Sequence, residues 1–327
     1  MHFRHFIILL SILFTINSFS QTRIIDSITK NGVSFATVSF GNGNGIFADD
    51  DGKFFFTKKL YSDIDSLFVS ALGYKDVKLA SKTLKDTLYL TPQSNLLDEV
   101  IVTARPSGKH KEVTLKPTAH DDYYKCWLPT IESEIAVFFP NTDNKPKHVT
   151  KVLIPIKTEA KDWDKRGKSN KAKRPFSTLF RVQFYENNNG LPGDVLTYEK
   201  VIFIATQDTK PVFEFDVSGF DIFIPKDGIY ISIQVLGFTD KNGKLLPNKK
   251  YQEVKTRRGI VKVSTTFRPL LPFTDQISEK TTFVKRVFQN NGQWVLFDKK
   301  NIDNSNLLNA GLNNYGMGLK MEVYKEE

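Results

Sequence analysis

Apolar and polar residues alternate over short stretches along most of the chain, with the two-residue period of half-buried strands. Helical periodicity is nearly absent. Near the N-terminus, Gly32-Val33-Ser34-Phe35-Ala36-Thr37-Val38-Ser39-Phe40 alternates in this way and is predicted as one strand. Gly41, Gly43 and Gly45 follow as a predicted flexible turn. Lys53 to Phe56, Ser66 to Ser70 and Leu88 to Leu90 are further predicted strands, and about seven short strands are expected from Thr22 to near Leu90. Turns are expected at Asp49-Asp50-Asp51-Gly52 and at Gly73-Tyr74. In the first, Asp side chains can bond back to the local backbone while Gly52 takes a positive φ.

The alternation resumes farther along the chain. Strands are predicted near Glu134 to Phe139, His148 to Ile156, Thr178 to Tyr185, Glu199 to Ala205, Pro211 to Asp216, Gly228 to Leu236, Gly259 to Thr266, Thr282 to Phe288, Gln293 to Phe297 and Gly318 to Tyr324. Clusters of Asn, Gly, Pro and Lys separate them, a spacing that predicts a sandwich of jelly-roll type over residues 118–327. Between the two strand-rich regions, Arg105 to Pro117 is rich in charge and turn residues and is expected to be an interdomain linker. The chain is therefore expected to be all-β, a small β-sandwich over residues 21–104 followed by a larger one.

Residues 1–20 break the pattern. A short positive region, Met1 to Arg4, precedes the apolar run Phe6 to Phe14, which is shorter than the roughly 20 residues needed to span a bilayer. Ser18 and Ser20 flank Phe19 as a signal peptidase requires, so export with cleavage before Gln21 is expected, leaving no transmembrane span. An uncleaved anchor is the alternative. No cysteine stands at the cleavage point, which excludes a lipoprotein anchor. About 305 residues remain, enough for two domains with their own cores. The lone Cys126 can form no intrachain disulfide, and beside Trp127 it is expected to be a small buried apolar side chain.

The net charge of +10 raises the question of nucleic acid. Much of the excess lies in Lys161 to Arg174, where Lys165, Arg166, Lys168, Lys171, Lys173 and Arg174 accompany a single aromatic, Trp163. Nucleic-acid binding calls for stacking rings interleaved with the charge, so no nucleic-acid partner is expected. The run is predicted as a long loop, either solvated or touching anionic lipid, lipopolysaccharide or an acidic glycan.

Several separated motifs occur in a telling order: Gly32-Val33 with Ala36-Thr37-Val38, Asp49 to Phe54, and Asp65 to Ser70 with Leu72-Gly73-Tyr74. In this order they resemble the carboxypeptidase-like regulatory domain of exported Bacteroidetes proteins. The resemblance covers Thr22 to about Ala104 and implies a transthyretin-type sandwich of seven strands with no catalytic group. It also implies an address in the periplasm or at the outer-membrane surface. The next segment, Leu97 to Ala104, is similar to the one that leads into the plug and contacts TonB in outer-membrane transporters carrying this module. That likeness marks Asp98, Glu99 and Val100 as candidate interaction residues, with a closing strand plus linker as the alternative. The roughly 220 residues that follow are too few for a 22-stranded barrel, so a transporter is excluded. Phe180 to Leu196, Phe215 to Val217 and Ile224 to Tyr230 look similar to the C-terminal sandwich of other exported proteins with the first module, which implies no activity.

Candidate chemistry is sparse. The acidic turn lacks the alternating ligands and distal Glu of an EF-hand. His110, His120 and His148 fall on separate segments without metal-ligand spacing, so neither metal nor cofactor is expected. Glu132 and Glu134 are expected as exposed positions of one strand rather than a glycosidase pair. Trp127, Trp163, Trp294, Tyr123, Tyr124 and Tyr315 are candidates to line a sugar-binding face or to pack a core. The expected function is a non-catalytic envelope protein that binds a glycan or a partner protein. An assembly accessory of an outer-membrane complex and a hydrolase built on the second sandwich are the alternatives.

Overall fold

The computed structural model describes residues 21–41, 43–93, 108–120, 122–158, 175–248, 252–257, 259–263, 265–289 and 292–325. The described chain is all-β, with a single short helix, α1 (Asn306–Asn309), and no helix long and apolar enough to cross a membrane.

The first module has seven strands: β1 (Gln21–Asp26), β2 (Thr37–Ser39), β3 (Gly45–Phe47), β4 (Lys53–Phe55), β5 (Ser66–Ser70), β6 (Val77–Ala80) and β7 (Thr87–Leu90). They form two sheets, β4-β1-β7 and β3-β2-β5-β6, with β1 and β7 parallel. Ile24, Phe54 and Leu90 from one sheet meet Val38, Leu67 and Val69 from the other in a core of its own. The predicted strand Gly32 to Phe40 is shorter than expected. Its first half is a turn, because Phe35 takes φ +52° and Gly32 lies so close to the Asp51 carbonyl that a Cβ would sit 2.1 Å from its oxygen. The acidic turn forms as expected: Asp49 Oδ1 accepts from the backbone N–H groups of Asp51 and Lys53, and Gly52 has φ +77°.

The second region comprises β8 (His110–Leu115), β9 (Cys126–Trp127), β10 (Ser133–Phe139), β11 (Lys147–Pro155), β12 (Ser177–Asn188), β13 (Leu191–Val195), β14 (Ile202–Thr206) and β15 (Val212–Asp216). It continues with β16 (Ile229–Phe238), β17 (Gln252–Thr256), β18 (Gly259–Val263), β19 (Leu271–Thr274), β20 (Thr282–Arg286), β21 (Val295–Leu296), β22 (Asn314–Tyr315) and β23 (Gly318–Tyr324). A curled sheet runs β13-β12-β16-β10-β20-β21, with β14 also on β12, and a four-stranded sheet runs β15-β11-β23-β8. Alternation along the strands puts Ile135, Val182, Phe184, Ile231 and Ile233 of the curled sheet against Val152, Ile154, Leu319 and Met321 of the other.

Three segments depart from expectation. Arg105 to Pro117 is not wholly a linker, since His110–Leu115 pairs antiparallel with β23 along its full length. Leu191–Val195, absent from the predicted strands, is one: Asn189 and Gly190 take φ +53° and +84°, and β13 returns along β12. Positive φ at both central residues suits a tight hairpin turn. The predicted strand from Gly259 is the second half of a hairpin, β17–β18, that pairs with no other strand among the described residues.

Candidate functional site

The two regions meet at a junction built from residues that the sequence places far apart. Phe35 and Phe47 belong to the core of the second region, where the Phe47 ring packs 5.2 Å from that of Phe288. Ser39 Oγ donates to the Phe288 carbonyl at 2.6 Å, a buried bond that ties β2 to the turn after β20. Gly45 shows how tight the contact is. A Cβ there would lie 2.3 Å from the Phe288 ring, so what looks like a flexible-turn glycine is a strand position kept bare for a neighbour. Arg181 and Lys200 complete the packing, each 5.7 Å from the centroid of Phe47 and Phe35 respectively.

The acidic turn closes the rim of this junction. Lys200 Nζ bonds Asp50, and Lys244 Nζ lies 3.5 Å from both Asp49 and Asp51. Lys53, through its hydrogen bond and charge, and Lys244 outweigh burial and hold the Asp51 carboxyl below its ordinary value. The charge of Asp49, followed by that of Asp51, raises Lys244 against partial desolvation. Three carboxylates that resemble a cation loop in sequence are thus matched by the protein's own backbone and lysines.

A second cluster sits on the face of the curled sheet turned away from the main core. Glu134, buried on β10, accepts from Tyr185 Oη at 2.8 Å and from Ser232 Oγ at 2.5 Å. Glu134 and Glu132, expected to be exposed, are both buried, and Glu132 faces Arg286 at 3.9 Å. The reason is register: β12 and β16 bring hydroxyls opposite β10, so the carboxylate can enter the protein with its hydrogen bonds made. Burial, then the Glu134 charge, pushes the Tyr185 hydroxyl well above its ordinary value, so it stays a proton donor. Beside them Arg181 bonds Gln234, leaving Arg181 Nε and Gln234 Nε2 as buried donors without a protein acceptor. Trp294 meets Tyr185 edge-on at 5.6 Å and lies under Lys285. This arrangement holds a carboxylate rigidly. On the other face of the sheet, a cavity between Trp127, Phe180 and Leu271, on the order of one water in size, measures about 10 Å³.

Two of the three candidate histidines, His110 and His148, converge. β8, β23 and β11 are neighbours, and this places Glu322 between His148, 3.1 Å away through Nδ1, and His110, 3.6 Å away through Nε2. Tyr324 Oη also donates to Glu322. Burial raises the Glu322 carboxyl, but the bonds from Tyr324 and His148 and the histidine charges outweigh it and leave it below its ordinary value. His120 is elsewhere, bonded to the Phe273 carbonyl. No group of three or more metal-capable side chains occurs among the described residues.

The aromatic candidates do not share an exposed face. Trp127 packs on Phe273 and Phe297, Tyr315 is fully buried with its hydroxyl on the Pro155 carbonyl, and Trp294 is buried. Of the described set only Tyr124 is largely exposed. Cys126, expected to be buried, is half-buried, with Sγ 3.2 Å from the Asp122 carbonyl. Asp98, Glu99, Val100, Trp163 and the basic residues Lys165, Arg166, Lys168, Lys171, Lys173 and Arg174 lie outside the described residues, as do residues 1–20, the expected signal peptide. The junction and the β17–β18 hairpin are features that sequence reading misses. Comparison with protein-family models, with curated proteins and with solved structures finds nothing that matches this chain.

Proposed function

We propose that this chain is a non-catalytic, exported protein of the cell envelope, acting as one two-sandwich unit that binds a partner protein. The observation that carries the reading is where its reactive-looking side chains go. The acidic turn closes on Lys200 and Lys244, Glu134 on Tyr185 and Ser232, and Glu322 on two histidines and Tyr324. Inward-facing tryptophans favour a protein over a glycan as partner. Strand edges remain for recognition: β8 ends the four-stranded sheet and β13 the curled one, with Leu115 and Leu191 exposed on them. An added strand from a partner gains backbone hydrogen bonds at such an edge. Seven strands in two sheets support a transthyretin-type, carboxypeptidase-like regulatory module, and the opposed sheets of the second region support a jelly-roll type. The signal-like N-terminus supports export.

Photo-crosslinking in cells that export the chain tests this. A photoreactive residue at Leu115 or Leu191 is expected to give one discrete protein adduct, and the same residue at fully buried Tyr315 none. No adduct from either edge, together with turnover of a glycan or peptide library by the purified chain, would overturn the proposal.

A further inference from the structure

The β17–β18 hairpin has the composition of a surface-seeking arm. Among the described residues its two strands pair only with each other, and a lone two-stranded ribbon is marginally stable in water. Register makes Val254 and Val261 cross-strand neighbours on one face and Lys255 and Ile260 neighbours on the other. All four are exposed, Ile260 at 68 %. Exposed aliphatic side chains on both faces have no use in water, yet here they alternate with basic ones. Lys255, Arg257 and Lys262 stand against the single acidic residue Glu253 among the described hairpin residues, 252–257 and 259–263.

We propose that this hairpin docks the protein on an anionic lipid surface. Ile260 and Val261 enter the boundary between headgroups and acyl chains, while Lys255 and Arg257 keep their charged ends among lipid phosphates. Charge complementarity selects the occupant. A basic side chain near an anionic leaflet gains from the surface potential, and the aliphatic pairs add burial that a free solvated loop lacks. Nucleic acid fits less well, because the described hairpin residues include no aromatic ring to stack on a base. The inference stands on the hairpin alone and does not need the partner-protein reading above.

The test is co-sedimentation of the exported full chain with vesicles of phosphatidylglycerol and phosphatidylcholine, beside vesicles of phosphatidylcholine alone. Binding is expected only to the anionic vesicles and is expected to weaken as salt rises. The double variant K255Q/R257Q is expected to bind roughly 30-fold more weakly, at about fivefold per basic residue. I260S/V261S, with charge unchanged, is expected to weaken binding as well, and both variants are expected to melt with the parent because the altered positions are exposed. Equal binding by parent and variants overturns the proposal. So does binding to a short DNA duplex with the same variant sensitivity, or a concentration-dependent dimer that both variants abolish without any vesicle binding by the parent.

Discussion

At the junction and on the β17–β18 hairpin the chain uses the same ingredients, basic side chains beside large apolar ones, and arrives at opposite states. At the junction Phe35 and Phe47 are buried in the neighbouring core, and Lys200 and Lys244 meet carboxylates from the acidic turn. On the hairpin Val254, Ile260 and Val261 face solvent, and Lys255 and Arg257 are exposed. The two lie close in sequence, since Lys244 and Asn248 of the junction directly precede the hairpin; Asn248 accepts from Tyr61 through its carbonyl and bonds the Leu236 carbonyl through its side chain. What differs is whether a complementary surface exists within the chain. A closed set of contacts contributes to folding, whereas an open one is available to something outside the molecule.

The largest expected effect breaks the closed side. Phe47→Ala removes a buried ring from between Phe288 and Arg181 and is expected to cost about 3–5 kcal/mol of unfolding free energy, measured by chemical denaturation. A loss below about 1 kcal/mol would mean that the junction is loose, because a fully buried ring cannot be removed so cheaply. Gly45→Ala probes the same contact by overfilling it. With Phe288 and the Val38 carbonyl both in the way of the new methyl, a loss of about 1–3 kcal/mol is expected in the same assay.

Acid acts next, through groups at the junction and in the second sheet. Asp51 and Glu322 have folded values below their ordinary ones, so their contribution is present above the ordinary carboxylate value, near 4, and is lost as pH falls through the lowered folded value. Lys244 has a raised folded value, so its contribution is present below the ordinary lysine value, near 10, and is lost as pH rises through the folded one. Melting temperature is therefore expected to be flat between about pH 5 and 9 and to fall on either side. A maximum below pH 4 would contradict these assignments. The smallest effect belongs to the open side: Ile260→Ser is expected to leave stability within about 0.5 kcal/mol of the parent across that range.

The sequence carries the fold class and much of the strand order, because strands such as β5 alternate cleanly against a core and β10 and β16 are long apolar runs buried on both faces. It does not carry β8. His110 to Leu115 is an edge strand with most of its side chains exposed, and edge strands hold charged residues that make them look like linkers. β1 and β13 escape for a related reason: each is short and interrupted by polar residues or by Pro192 and Gly193. The acidic turn is legible as a turn, since Asp49, Gly52 and Lys53 act locally, but Lys200 and Lys244 reach it from about 150 or more positions away. Glu134 is misjudged because its burial depends on Tyr185 and Ser232 arriving from other strands, information that exists only in the register. Gly45 is legible as a glycine that matters, though the cause is Phe288 rather than a bend.

The central claim is that the two regions behave as one body, and differential scanning calorimetry of the full chain at neutral pH tests it most directly. The account predicts a single transition whose van't Hoff and calorimetric enthalpies agree, with Phe47→Ala lowering that whole transition. Two resolved transitions in the parent, with Phe47→Ala moving only one of them, would contradict it.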